Sequence, residues 1–274
     1  MSQEITFSRF AHFDTNILSI LAKNQSLWQP LQDFLYDNDL CLAIGEGQFA
    51  ELNSDDRLHQ PLNDLLTAVP SAIIKNHQII LDEEVKAHPD KRTDTLLQYP
   101  LNSLFGTNDL SNYLSSSELT EARNEQKLNS QIWMQRLIAL QSNFPPDKNG
   151  KYTRGQAPLF AWTMTIQELQ AEYLSFLKQF QEDASKFNDE TFLSIQINAY
   201  VTFYKYYLQG QQPKPSDFGD MFHLHAMPYC KLVVVERNIC EVLNQVKKNS
   251  SVLKGVVVKN IRFLDDWEWT EETR

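Results

Sequence analysis

The feature that most constrains this chain is the run Leu232–Val235, LVVV, held between Lys231 and Glu236. It is of strand length, and a short aliphatic run bounded by polar residues suits a parallel sheet buried on both faces. Comparable runs lie at Phe10–Phe13, ending in Asp14, at 40–44, followed by Gly45, and at 255–258. Between them the apolar spacing predicts helices over 15–36, about 46–58, 217–227 and 239–247. Strand, helix, strand, helix is the grammar of a sheet covered by helices. The fold class expected is therefore α/β, a three-layer arrangement around a central parallel sheet.

The sheet-forming grammar occupies about 1–70 and 211–274. The stretch 71–210 between them reads as a large, mainly helical insertion in a single domain of 274 residues. Ser117 is placed to cap a helix running to about 140, with Glu118 and Glu121 in its first turn. Breakers crowd 143–158. Two apolar stripes follow, one from Trp162 to Phe180 and one from Phe192 to Tyr206, and they predict packing faces rather than a cofactor box. Residues 70–115 give no assignable pattern.

At 42% hydrophobic and 11% aromatic, the chain can fill a core. Its net charge of -10 argues against strong non-specific binding to nucleic acid, which depends on Lys and Arg neutralising phosphates. Three cysteines, Cys41, Cys230 and Cys240, form no Cys-x-x-Cys and imply neither a disulfide framework nor a zinc ribbon. The start, MSQEITFSRFAHFD, shows no apolar leader, and no run is long enough to span a membrane. The expected location is the cytoplasm.

Four carboxylates mark one edge of the expected sheet. Asp14 and Glu236 end strands, and ligands of open parallel sheets bind beyond the carboxyl ends of strands. Asp220 lies near the start of the helix that feeds the last of these strands, and Glu51 lies on the helix after the second. Two carboxylates about 4 Å apart at an effective dielectric near ~20 repel by roughly 4 kcal/mol, a penalty that a divalent cation removes. Magnesium and manganese prefer such oxygen ligands, and a site of this kind suits phosphodiester hydrolysis. Bland roles compete at each position. Asp14 is also a favoured helix N-cap, Asp217 rivals Asp220, Glu46 rivals Glu51, and Glu236 reads equally as a solvated strand end.

AHFDTNILS (11–19) resembles the opening motif of PIN domains: apolar strand, Asp, Thr or Ser, Asn, apolar helix. GDMFHLHAMPYCKLVVVERN (219–238) is similar to the family's second acidic block, and LAIGEGQFAEL (42–52) to its intermediate block. The resemblance implies a PIN-like fold and a Mg2+- or Mn2+-dependent endoribonuclease acting on RNA, of the toxin or RNA-processing kind. On that match Asp14, Glu51 and Asp220 hold the metal, Glu236 is the more variable fourth ligand, and Asn16 helps hold Asp14 or a water. An antitoxin or another protein is the partner that such relatives imply. Glu236 stands where Asp is commoner, and Lys231 where an Asp often follows Tyr-Cys.

The alternative is a PIN-like domain without catalysis, serving as a protein-interaction scaffold. A phosphatase of the aspartyl-phosphate type fits less well, because its second Asp would fall at Asn16. His223 and His225, two apart on a helix, face differently and do not chelate one zinc. Lys151, Tyr152 and Arg154 form a basic-aromatic loop that reads more readily as solvated than as an RNA contact.

Overall fold

The computed structural model describes residues 9–92, 95–101 and 109–269. The opening MSQEITFS, where an apolar leader was sought, lies outside them, as does part of the unassigned stretch 70–115.

Strand β1 (Phe10–Phe13) is buried throughout and runs into Asp14, whose Oδ1 accepts the backbone N–H of Thr15 at 2.8 Å and caps α1 (Thr15–Lys23). The single helix expected over 15–36 is two. The ladder breaks at Asn24, and α2 (Trp28–Asp37) begins with Pro30 in its first turn, where a missing N–H costs nothing. After a turn at Asp39 with φ +52°, the chain enters β2 (Cys41–Ile44) and α3 (Glu46–Leu52). Helix α3 stops well short of residue 58. Its successor, α4 (His59–Ala68), again carries a proline, Pro61, in the first turn.

The stretch 70–115 supplies two strands that the sequence did not announce, β3 (Ser71–Ile74) and β4 (Leu97–Pro100), separated by α5 (His77–Ala87). The sheet order is β4-β3-β2-β1-β5-β6, with β5 at Leu232–Val235 and β6 at Val257–Asn260. Every pairing is parallel except β3 with β4. The sheet is thus mixed rather than wholly parallel. It also draws on 71–100, so the helical part of the insertion starts later than residue 71.

That part comprises α6 (Asp109–Leu114), α7 (Ser117–Asn143), α8 (Ala157–Glu172), α9 (Leu174–Lys178) and α10 (Leu193–Thr202), the last continuing into a π-helical turn, Phe203–Leu208. Ser116, not Ser117, caps α7, its hydroxyl accepting Leu119 N at 3.3 Å. Helices α8 and α10 pack on each other as expected, and Phe160, Phe203 and Tyr207 interlock between them. Trp162 departs from the expected stripe and is 45% exposed. Tyr152 of the basic-aromatic loop is a packing residue: its ring meets Tyr207 and its hydroxyl donates to Phe144 O at 2.8 Å. The chain then passes through α11 (Asp217–Phe222), a 3-10 segment (Leu224–Tyr229), β5, α12 (Arg237–Asn249), β6 and α13 (Phe263–Asp266).

Side chains alternate between two apolar cores, one on each face of the sheet. Ala11, Leu42, Ile44, Ile73, Leu232 and Val234 meet α1, α2, α4 and α13 on one face. Phe10, Cys41, Ala43, Ala72, Val233 and Val235 meet α8, α10 and α12 on the other. The result is a three-layer α/β fold. Cys41, Cys230 and Cys240 are all buried, unbridged core residues. No helix among the described residues is long and apolar enough to cross a membrane.

This wiring creates one crevice. From β1 the chain leaves by α1 on one face towards β2, and from β5 it leaves by α12 on the other face towards β6. Connections that part to opposite faces from adjacent strands open a cleft at their carboxyl ends. Asp14 and Glu236 are the first residues beyond β1 and β5.

Candidate functional site

The backbone fixes the two strand-end carboxylates side by side. Asp14 N–H donates to Val234 O at 2.9 Å, and Nδ2 of Asn16 donates to Oε1 of Glu236 at 2.5 Å. Asn16 therefore holds Glu236 rather than Asp14. Asp14 is buried, whereas Asn16 and Glu236 are exposed.

Glu51 arrives through a clamp at the start of α3. The buried amide of Gln48 donates to Phe13 O at 2.7 Å, and its Oε1 accepts Gly45 N–H at 3.1 Å. The first turn of α3 is thereby tied to the end of β1, and Glu51 follows one turn later. Its Oε1 lies 3.3 Å from Nε2 of His223. Glu46 points to solvent, as a first-turn acid favoured by the helix dipole does. Two glycines bring α11 close. A Cβ on Gly219 would overlap the Glu51 carboxylate, and one on Gly47 would meet Phe222 and His223.

Asp220 sits on α11. Its neighbour Asp217 is occupied elsewhere, accepting Lys205 Nζ at 3.0 Å and Lys214 N–H at 3.0 Å. Lys205 projects from the π-helical turn, is almost fully buried, and places its ammonium 3.9 Å from Oδ2 of Asp220 as well. Such turns recur at functional sites because they re-aim one side chain.

The electrostatics tie these groups into one cluster. Burial pushes the Asp14 pKa up, with Glu236 and Glu51 adding to the rise and His223 opposing it. Asp220 is pushed up to about 6 by burial and then by Asp14 and Glu51, against the pull of Lys205. Burial also works to raise Glu51, but the His223 imidazole beside it, together with Thr15, outweighs this and leaves its pKa lowered. Beneath the edge His12 is fully buried and neutral, its pKa brought down to about 3 by burial and by His223 and His225. Burial and His77 lower His225 likewise to about 3.

The four carboxylates predicted from the sequence therefore share one edge, but they are not drawn to one point. Among the described residues no three His, Cys, Asp or Glu side chains converge as a metal-holding group. Each acid has a partner of its own in the protein: Thr15 N–H for Asp14, His223 for Glu51, Lys205 for Asp220 and Asn16 for Glu236. The donor chemistry still suits a hard divalent cation, since every donor is a carboxylate oxygen and neighbouring acids add to the raised pKa of Asp14 and of Asp220. Nothing in the sequence singles out Lys205, and His223 is weighed there only as a zinc ligand, because their acid partners lie 12–15 and 172 positions away.

Comparison with protein-family models, with curated proteins and with solved structures finds no match to this chain.

Proposed function

We propose that the carboxyl edge of this sheet is the active site of a Mg2+- or Mn2+-dependent ribonuclease of PIN-like type. The observation that carries the reading is that Asp14, Glu51, Asp220 and Glu236, from four separate elements, line one edge at the crevice between β1 and β5, where Asp14 N–H is bonded to Val234 O and Asn16 to Glu236. The crevice at the carboxyl ends of β1 and β5 and the motif resemblance around Asp14 and Asp220 support it. Asp14, Glu51 and Asp220 would hold the ion, with Glu236 on the flank. When bound, the ion supplies charge neutralisation at the phosphodiester and a more acidic water.

The chain's own groups prepare the rest. Asn16 fixes the carboxylate of Glu236, so that acid is oriented before substrate arrives. His223 holds Glu51 ionised, and Lys205 brings a buried positive charge to an edge where a phosphate would add negative charge. The acidic surface makes affinity depend on this local site rather than on a broad basic face.

One observation favours the second reading, a scaffold without catalysis. Lys205 and His223 already lie against two of the acids, so the protein itself supplies partners that a metal would otherwise provide. Purified protein incubated with single-stranded and structured RNAs separates the two. Cleavage in Mg2+ or Mn2+ that chelator, Asp14→Asn and Asp220→Asn all abolish is the nuclease result. No cleavage under any condition selects the scaffold.

A further inference from the structure

A cavity of about 400 Å3 opens beside the carboxylate edge, between the ends of β2 and β3, α7 and α11. Phe218 and Phe222 line it, their rings 5.9 Å apart and tilted by 37°, and Phe222 is 38% exposed. Phe222 can lie there because Gly47 has no side chain to displace it. Helix α7 contributes the amides of Gln126 and Asn129, and Glu46, Glu118, Glu125 and Lys75 also line the cavity.

A shallower groove of about 310 Å3 adjoins this cavity and shares Phe218 and Gln126 with it. Its character is the reverse. Arg123 and Lys127 line it together with Glu51 and Gly219 of the carboxylate edge. Helix α7 separates the two spaces by its own periodicity. Ala122, Glu125 and Asn129 fall on the cavity side, Arg123, Lys127 and Ser130 on the groove side, and Gln126 lies between them and lines both. An amphiphilic ligand therefore has one orientation: its flat, uncharged part against the phenylalanines and its anionic part on Arg123 and Lys127. Three glutamates against one lysine, Lys75, itself paired with Glu83, leave the cavity acidic and disfavour a phosphate there.

We infer that the cavity is a base-binding subsite, in which one unpaired nucleobase of an RNA strand stacks on Phe218 and Phe222 while the adjoining phosphate lies along Arg123 and Lys127. The inference rests on the nuclease reading and adds a substrate class to it, single-stranded RNA with a base free to swing out of the stack. Glu46, Glu118 and Glu125 accept hydrogen bonds and donate none. They favour bases that present an amino group, namely adenine, cytosine and guanine, over uracil.

The test uses the full chain in chelator, so that its outcome does not depend on the carboxylate edge binding a metal. Nucleoside 5′-monophosphates are titrated against the protein beside inorganic phosphate, with saturation-transfer NMR reporting which ligand protons touch it. The expected result is transfer to base protons, weaker binding of the uridine nucleotide, and a loss on the order of tenfold in Phe222→Ala. Phe222→Trp should keep the affinity, which separates lost stacking from lost folding. Lys127→Ala should weaken the nucleotides but not the matching nucleosides. Nucleotides that bind no better than phosphate, or equally to wild type and a folded Phe222→Ala, would overturn the subsite. If metal-dependent cleavage persists beside that result, the subsite alone is wrong; if base binding is seen without cleavage, the nuclease reading is what fails.

Discussion

The carboxylate of Glu51 fills the space that a side chain at Gly219 would need: a Cβ built there would overlap Oε1 of Glu51. The close approach of α3 and α11, and with it the meeting of Glu51 and Asp220, depends on that missing carbon. Gly219→Ala should displace Glu51 from His223 at a modest net cost, within about 1 kcal/mol, because the atom that must give way is the far end of a flexible side chain and alanine suits a helix better than glycine. Chemical denaturation checks this. Shortening the acid in Gly219→Ala/Glu51→Ala should recover part of the loss, and a double variant as unstable as the sum of the singles would contradict the contact.

Lys205 is a buried cation with two acids to satisfy. Lys205→Met leaves the nearly buried Asp217 without its ammonium, and breaking a pair of this kind costs roughly 3–5 kcal/mol. In Lys205→Met/Asp217→Asn most of the cost should disappear. A double-mutant cycle in urea measures the coupling, and additive effects would show that the pair contributes nothing.

The acids also predict a pH dependence for the metal-free chain. Asp220 has a folded pKa of about 6, above its value in the unfolded chain. The protonated form is thus favoured by folding, and the stability it contributes is fully present below the unfolded pKa and lost as pH rises through about 6. Asp14 shifts in the same direction. Glu51 shifts the other way, so its contribution is present above its unfolded pKa and lost as pH falls through its lowered folded value. Stability should therefore fall between about pH 4 and 7 through Asp220. Asp220→Asn should flatten that fall and stabilise the chain at pH 7 by on the order of 1 kcal/mol, a figure reduced for the screening of a partly exposed carboxylate. Thermal melts of both proteins across this range would refute the account if their curves stayed parallel.

The strands that carry Asp14 and Glu236 were legible because four-residue apolar runs ending in an acid have few other readings. Strand β3, SAII, has only three apolar residues, and β4, LQYP, lies on the edge with half-exposed side chains, so neither gave a buried run. The break between α1 and α2 was hidden because Ile17, Leu21, Leu31 and Leu35 keep facing one core across it. Pro30 and Pro61 were the signals available for the starts of α2 and α4. The four candidate acids could be named from strand ends and from the motif resemblance. Their partners could not, since Lys205 reaches Asp217 only through a π-helical turn and His223 reaches Glu51 only because residues 47 and 219 are glycines.

The central claim is that the carboxylates at this edge bind a divalent cation as one unit, and Mn2+ titration followed by electron paramagnetic resonance of the free ion tests it most directly. Wild type should take up Mn2+ saturably at the edge. Asp14→Asn, which keeps the side chain's shape and removes the charge that couples to Glu51, Asp220 and Glu236, should lose that uptake while melting as a folded protein. Uptake that is identical in wild type and Asp14→Asn, or absent from both, would contradict it.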